Sequence, residues 1–579
     1  MQQSVVAVRT RSRVPEECAF RTRDGVQIFF RAWRGTAKTA VVLVHRGHEH
    51  SGRIAHLVDE LDLPEVSFFA WDARAHGQSE GEQGPDTTMA TFVSDLDEFV
   101  RHIQERFGIA EQEIAVVGQS LGAVMVAAWV HDYAPSIRCM ALAAPAFQVK
   151  LYVPFARLGL GIWQKLVGNF YVTSYVKGKA LTHDEERIRT YHIDPLVKLR
   201  ISVRVLLDLY KMSARLLSDA GAIRVPAQVL LSGSDWVIKN GPARQFADSL
   251  STSEKEVHEF PGFYHDTLGE KDRHLPIARL RTFLARQFAV RPSLLNADQG
   301  GFTKTEYDQL LQPPSFLKGI SFALTKLFLK TIGRMSGGIR LGLKTGFDSG
   351  SSLDYVYRNQ ATGLTPIGKL IDRIYLDSPG WTGIRVRKQM IEELIGVAMR
   401  RVRTVRILDV AAGHGRYVLD AIVKSGIEPQ DVLLRDFDSE NVALGQQLIA
   451  GMGLKARFEQ ADAFDRESLA NLTPKPTVGI VSGFFELFPE NHGVRNTLSG
   501  LASAIEPGGC LVYTGQPWHP QIEFIARTLT SHRSGAPWVM RRRTQEELDE
   551  LARDAGFRKV EQRIDPEGLF TVTLAERTG

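Results

Sequence analysis

Short apolar, β-branched runs alternate with longer amphipathic stretches twice along this chain. That rhythm restricts the fold more than any other feature of the sequence. In the first block, Val41–His45, Val66–Trp71, Ile114–Gly118, Cys139–Ala144, Ala227–Ser232 and Glu256–Phe260 read as strands. Helical stretches separate them, among them Thr91–Phe107, with Phe92, Leu96, Phe99, Val100 and Ile103 on one face. Such alternation predicts a doubly wound α/β sheet. It breaks at 148–222, a mostly helical insertion, and then resumes. The second block opens with a helix at Met390–Val402. Strands follow at Arg406–Val410, Val432–Phe437, Ala456–Gln460, Val478–Ser482, Cys510–Thr514, Val560–Arg563 and Phe570–Leu574.

At 579 residues the chain exceeds the roughly 250–300 at which one core stops growing. Two different doubly wound domains are therefore expected, at 1–290 and 346–579. Between them, 291–345 reads as a linker, marked by Gln299-Gly300-Gly301 and Pro313-Pro314. The composition is that of a globular protein, and three cysteines (Cys18, Cys139, Cys510) are too few for a disulfide framework. No uncharged apolar run reaches the length of a bilayer span. Arg9, Arg11 and Arg13 precede no apolar segment of the kind a signal peptide needs. The expectation is a cytoplasmic protein, with peripheral contact to the inner membrane face left open.

The net charge of +5 is unevenly spread. Between Lys150 and Arg224 stand thirteen Lys/Arg against six Asp/Glu, leaving the rest of the chain slightly acidic. Leu151, Tyr152, Val153, Phe155, Trp163, Phe170 and Tyr171 interleave with that basic block. Basic and amphipathic together read as attraction to an anionic surface or as a solvated helical lid, and charge alone leaves both open.

Strand Ile114–Val117 runs into Gly118-Gln119-Ser120-Leu121-Gly122 and then a small-residue helix. G-x-S-x-G between strand and helix is a nucleophile elbow, its glycines permitting the turn that lifts a serine hydroxyl above the sheet edge. Serine needs an imidazole to take its proton, and the imidazole needs a carboxylate to orient it. In the order Ser, Asp, His that suits this fold, Asp235 follows one strand and His265 follows the next. Ser120, Asp235 and His265 are the expected triad. The oxyanion hole needs two backbone N–H groups, one from Leu121 and one from the loop His45-Arg46-Gly47-His48-Glu49-His50. That loop lacks H-E-x-x-H and any helical histidine pair, so no metal site is predicted.

This loop, with Asp72-Ala73-Arg74-Ala75-His76-Gly77-Gln78-Ser79, resembles the α/β-hydrolases of the monoacylglycerol lipase and lysophospholipase type, the serine aminopeptidase S33 group, over about 16–290. The resemblance implies that Gly47 supplies the second N–H and that 148–222 is the cap forming the acyl tunnel. It also implies a lipid ester substrate. Arg46 departs from the family, which usually has glycine there, and is expected to narrow the pocket or to meet an anionic head group. The basic cap favours a substrate with a negative head group.

In the second block, strand Arg406–Val410 leads through Ala411-Ala412-Gly413-His414-Gly415 into a helix. G-x-G-x-x-G is absent, which argues against a dinucleotide. The next strand ends at Asp436, placed for ribose hydroxyls, and the third closes at Asp462-Ala463, placed for an adenine edge. These residues resemble the class I S-adenosylmethionine-dependent methyltransferases over about 385–579, with Ala411 replacing the first glycine of D-x-G-x-G-x-G. The resemblance implies S-adenosyl-L-methionine as cofactor. It places Asp409 and Gly413 beside the methionine part, Asp436 on the ribose and Asp462 with Ala463 at the adenine, with Ala411 and Gly415 also among the cofactor-binding residues.

The fourth strand ends Gly483-Phe484-Phe485-Glu486, on the acceptor side, and Gly346–Lys388 is expected to lid that pocket. No basic stripe interleaved with aromatics points to nucleic acid. In the linker, Phe316–Ile332 puts Phe316, Ile320, Ala323, Leu324, Leu327 and Phe328 near one face, with Lys318, Lys326 and Lys330 interrupting. It reads as an interfacial helix or one packed between domains, packing being favoured because no tryptophan anchors it. The leading expectation is a bifunctional enzyme, a serine ester hydrolase joined to a methyltransferase acting on lipid-like metabolites. The alternatives are a hydrolase with a regulatory or degenerate cofactor-binding domain, and a peripheral membrane scaffold.

Overall fold

The computed structural model describes residues 13–290, 301–533 and 535–579. Arg9, Arg11, the first ten residues of the expected linker and its Gln299-Gly300 step lie outside them. The chain divides into two compact units, Met1–Leu294 and Leu295–Gly579.

The first unit is built on an eight-stranded sheet. Its strands are β1 (Glu16–Arg21), β2 (Gln27–Trp33), β3 (Ala40–Val44), β4 (Ser67–Trp71), β5 (Ile114–Gln119) and β6 (Cys139–Ala143). After the short cap pair β7 (Tyr171–Thr173) and β8 (Arg200–Ser202) come β9 (Ala227–Ser232) and β10 (Lys255–Phe260). The order is β1-β2-β4-β3-β5-β6-β9-β10, and every pairing from β4 to β10 is parallel. β3 to β6 are buried along their whole length, as strands covered by helices on both faces must be.

The antiparallel hairpin β1–β2 was not among the expected strands. Its signal is legible in hindsight: Asp24-Gly25 sits between two alternating runs, with Gly25 at φ +88°, a turn that prefers glycine.

The second unit carries seven strands. They are β11 (Arg406–Asp409), β12 (Asp431–Asp436), β13 (Arg457–Gln460), β14 (Val478–Val481), β15 (Cys510–Gly515), β16 (Phe557–Ile564) and β17 (Thr571–Arg577), in the order β13-β12-β11-β14-β15-β17-β16. Only β17 runs antiparallel to its neighbours. One core, including Leu394, Val418, Leu434 and Val512, covers one face, and a second, including Leu408, Leu498, Leu501 and Leu551, covers the other. The order reverses at β11 and β14, so the carboxyl ends of those strands flank a crevice, the place where sheets of this kind bind ligands.

Most of the expected linker belongs to the second unit. Thr303 donates its hydroxyl to Glu547 Oε2 at 3.0 Å, Lys304 pairs with Glu490 at 3.0 Å, and Arg542 pairs with Glu306. Helices Gly301–Leu311, Phe316–Lys330 and Gly337–Thr345 are thus part of its helical layer. Leu329 is the one buried residue of the Phe316–Lys330 helix, and Lys318 pairs with Glu523 at 2.7 Å. Phe316, Leu317, Ile320, Leu324 and Leu327 are exposed. Lysines at Lys318, Lys326 and Lys330 interrupt the apolar face and keep it from burying cleanly. Among the described residues no helix is long and apolar enough to cross a membrane.

Candidate active sites

Ser120 sits between β5 and helix Leu121–Tyr133 at φ +55°, ψ −114°, a backbone conformation costly for any residue with a side chain. The neighbouring glycines make that turn possible. A Cβ on Gly122 would fall 2.4 Å from the His45 carbonyl oxygen, and one on Gly118 would fall 2.7 Å from that of Gly122. Both obstacles are backbone, which cannot move aside.

The three residues expected to act together stand in one relay. Ser120 Oγ lies 2.7 Å from His265 Nε2, and His265 Nδ1 lies 2.8 Å from Asp235 Oδ2. All three are buried. Asp235 Oδ1 accepts the N–H groups of Val237 at 2.7 Å and Ile238 at 2.9 Å. Burial pushes the Asp235 carboxyl up, but the His265 imidazole and those amides outweigh it and hold it below its ordinary value. An ionised acid at this position fixes Nδ1 as the donor and leaves Nε2 free to accept the serine proton. Gly47 adjoins Leu121: a Cβ on Gly47 would lie 3.5 Å from Leu121 Cδ2. Among the described residues neither backbone N–H has a hydrogen-bond partner.

The histidine-rich loop is held by separate partners. His45 donates Nδ1–H to the Arg46 carbonyl at 2.7 Å and accepts the Ala73 N–H at 3.0 Å. His48 donates to the Lys198 carbonyl at 2.8 Å, and His50 meets Asp194 at 3.0 Å.

Arg46 does not present its charge to solvent. Its guanidinium is buried and makes two hydrogen bonds to Glu49, at 2.6 and 2.7 Å, with Asp266 at 3.4 Å. Asp266 also takes Arg187 from the cap at 2.9 Å and the Gln119 amide at 2.7 Å. The residues flanking nucleophile and base, Gln119 and Asp266, are thereby tied directly to each other. A buried guanidinium requires carboxylates, and this chain supplies them in Glu49 and Asp266, which sequence reasoning did not single out. Burial pushes the Glu49 carboxyl up, yet Arg46 and Arg53 hold it below its ordinary value, and Arg187 and Arg46 do the same for Asp266.

Depressed carboxylates stabilise the fold fully above their unfolded values, at about pH 4. That stabilisation is lost as pH falls through the folded values. Arg46→Ala takes a buried cation from both acids, leaving Glu49 with Arg53 and Asp266 with Arg187, and urea unfolding of the first unit should show a loss of about 3 kcal/mol at neutral pH. The loss should shrink on acidification below about pH 4.

The basic cap does not form one charged surface. Arg187 and Arg215 are taken up by Asp266 and Asp132, Arg189 pairs with Glu186, and Arg204 pairs with Asp208. The cap also displays apolar side chains, beside exposed cations such as Arg157, Lys165, Lys177, Lys179 and Arg200. Helix Ala156–Val167 buries none of its residues, and Phe155, Leu158, Ile162, Trp163 and Leu166 are exposed.

In the second unit, β11 ends in a turn in which Gly413 and Gly415 adopt φ +57° and +73°. A Cβ on Gly415 would strike Leu434 Cδ1 at 2.5 Å, whereas one on Gly413 would meet only Gly350 Cα at 3.8 Å. The turn therefore packs close on one side and leaves room on the other. Asp409 lies beneath it, wholly buried, accepting the Tyr417 hydroxyl and the Ala411 N–H. Burial pushes its carboxyl up to about 7, against those hydrogen bonds. Both contacts hold it against the turn.

Asp436 accepts the Gly413 N–H at 2.8 Å on Oδ2, and the Asp438 N–H and the Asn441 amide on Oδ1. Three of about four acceptor positions are taken. Asp462 accepts the Phe464 N–H at 2.9 Å, and Ala463 is buried beside it. Phe437, directly after Asp436, is 73% exposed, a large aromatic at the crevice that sequence reasoning passed over.

A relay of this form on a doubly wound sheet, joined to a seven-stranded sheet with a glycine turn at its switch point, defines a two-part chain: a hydrolase of the lipase type and a methyltransferase-like domain. The family model described as "Putative methyltransferase" matches residues 280–577, over half the chain, and the protein belongs to that family. The model described as "Serine aminopeptidase, S33" matches residues 35–272. The chain is 50% identical, over 98% of its length and 99% of the relative's, to "Uncharacterized protein YnbC" of Escherichia coli K12. It is 25% identical to "Monoacylglycerol lipase" of Mycolicibacterium smegmatis, over 46% of this chain and 95% of that one. Among solved structures, the monoacylglycerol lipase of Paleococcus ferrophilus is 22% identical at a TM-score of 0.41, over 45% of this chain and 99% of that one.

Proposed function

We propose that the chain is a bifunctional enzyme, a serine ester hydrolase acting on lipid esters and an S-adenosylmethionine-dependent methyltransferase. The observation that carries the first activity is the continuous hydrogen-bond relay from Ser120 through His265 to Asp235. In this reading His265 Nε2 takes the hydroxyl proton as Ser120 Oγ attacks the ester carbonyl. The N–H groups of Leu121 and Gly47 stabilise the oxyanion. His265 then gives the proton to the departing alcohol, and water repeats the sequence on the acyl-serine. The exposed apolar cap helix suits a substrate delivered from a lipid phase.

The residues of the second crevice fit S-adenosylmethionine. The open side of the glycine turn admits its amino-acid end, and the remaining acceptor position of Asp436 serves a ribose hydroxyl. Phe437 offers a face for the adenine, with Asp462 and Ala463 at its edge. When bound, the cofactor supplies an electrophilic methyl group, and the protein's part is to hold it and the acceptor in line. A second ribose contact requires the Asn441 amide to leave Asp436.

Two measurements on the full chain test this: release of free acid from monoacylglycerols and lysophospholipids, and equilibrium dialysis against labelled S-adenosylmethionine. Both are expected to be positive. Hydrolysis without cofactor binding would overturn the methyltransferase half alone, and binding without hydrolysis the other.

A further inference from the structure

The second unit encloses a cavity of about 330 Å³, within the size of small-molecule sites. Its wall is largely apolar: Phe347, Ile384, Trp381, Trp538, Met540 and Phe570 surround it. At the sheet end it reaches Gly483, which follows β14, the strand paired with β11. That places it on the acceptor side of the glycine turn.

Three charged residues stand in this wall, Arg387, Glu486 and Asp348, and Asp348 is taken by Ser531 Oγ at 2.6 Å and by His532 at 3.0 Å. Arg387 is 3% exposed, and its guanidinium lies over the Phe570 ring at 5.0 Å. Its one hydrogen bond among the described residues goes to Glu486 Oε1 at 3.5 Å, the limit for such a contact. A guanidinium carries five N–H donors, and burying them without partners is costly. A backbone without Cβ flanks it, since a side chain on Gly483 would come 3.1 Å from Arg387 Nη2. Two further donors on the wall lack partners, Gln516 Nε2 and Trp538 Nε1, both in buried residues.

His519 does not supply a base. It is buried, its Nδ1 accepts the Gln521 N–H at 3.1 Å, and burial pushes it down to about 4, so the neutral ring carries its proton on Nε2. Beside Glu486, the cavity therefore offers a ligand the guanidinium of Arg387, whose one protein hydrogen bond is long.

Its other end is open to an apolar surface. Phe328 and Ile374 line the cavity and are themselves exposed, 43% and 65%. They belong to helices Phe316–Lys330 and Pro366–Leu376, which also expose Leu324, Leu327, Ile367 and Leu370. Lys326, Lys330 and Lys369 are exposed on the same two helices.

We propose that this cavity binds a single-chain lipid carboxylate, with its head on Arg387 and its chain leading out between these two helices. As the methyl acceptor, a role that rests on the methyltransferase reading above, a carboxylate has no proton to lose and needs no base. Its oxygen forms the new O–C bond as the donor's S–C bond breaks. The sulfonium and carboxylate charges cancel, leaving a methyl ester and a thioether, and no proton moves. The substrate class matches the acid that ester hydrolysis by the first unit would release.

The test is binding to the full chain without S-adenosylmethionine, so that it reads the site and not the reaction. Laurate and dodecanol, equal in chain and unequal in charge, are titrated calorimetrically. A photoreactive lauric acid carrying a diazirine is then crosslinked and its site mapped by peptide analysis. Laurate should bind about tenfold or more tighter than dodecanol, the worth of a charge-assisted hydrogen bond. Label should appear on the segments holding Phe328 and Ile374. Arg387→Gln should bring laurate to the level of dodecanol, and Arg387→Lys should restore part of the difference. Ile374→Glu, at the exposed mouth, should weaken both ligands and serves if the Arg387 variants do not fold. Equal affinity of the two ligands for the wild type, or label confined to the first unit, overturns the proposal. Laurate bound at Arg387 in a protein that does not bind S-adenosylmethionine would uphold the site and overturn the methyltransferase reading.

Discussion

Replacing Ser120 by alanine is expected to lower ester hydrolysis by roughly five to six orders of magnitude, the scale set by loss of a triad nucleophile. The relay leaves no second route. His265 Nε2 faces Ser120 at 2.7 Å, and Asp235 is held by His265 and two amides. Alanine keeps the Cβ and so keeps the strained turn, whose feasibility rests on Gly118 and Gly122. Folding should be unaffected, with thermal melting unchanged within a degree or so. S-Adenosylmethionine binding should also be unchanged, because Ser120 and the glycine turn lie in separate compact units. A fatty-acid release assay on monoacylglycerol, run beside a melting curve, checks both halves. Hydrolysis surviving within tenfold of the wild type would remove Ser120 from the chemistry.

The second large effect is expected at Asp436. Alanine there removes the ribose acceptor and also the bond that holds the Gly413 N–H at 2.8 Å. Affinity for S-adenosylmethionine should fall by about a hundredfold, the worth of one or two hydrogen bonds to a charged group. Dialysis or calorimetry reads the loss, and ester hydrolysis on the same preparation should not change. Asn441→Ala separates ligand contact from loop shape. It frees one acceptor position on Oδ1, which keeps the Asp438 N–H, without disturbing Gly413, so binding should hold or tighten. Equal loss in both variants would mean that Asp436 acts through the loop alone. Phe437→Ala, next door, should cost about tenfold, as stacking loss does, without moving the melting temperature, since its ring is exposed.

Much of both sites was legible before any coordinates because their chemistry is local. An elbow needs glycine on both sides of the serine within five residues, and a nucleotide turn needs glycines between strand and helix. Chain order then places Asp235 and His265 after successive strands. The parallel strands were legible for the same reason, since strands buried on both faces are continuous apolar runs. Hairpin β1–β2 escaped because its strands alternate polar and apolar residues and only Asp24-Gly25 marks the turn.

The sequence by itself determined that two doubly wound sheets form, where each carries its turn, and which three residues meet at Ser120. Only the tertiary structure decided which charges are available. Arg46 looked like a free cation in a loop, yet Glu49, three residues on, and Asp266, more than two hundred away in sequence, neutralise it. The basic cap looked like one surface, yet several of its cations are paired with acids. Arg387, which nothing in the sequence marked out, stands buried in a largely apolar cavity with a single long hydrogen bond. Net charge is a sum over the chain. A cation's power to bind depends on burial and on the nearest carboxylate, and packing brings those together from distant segments.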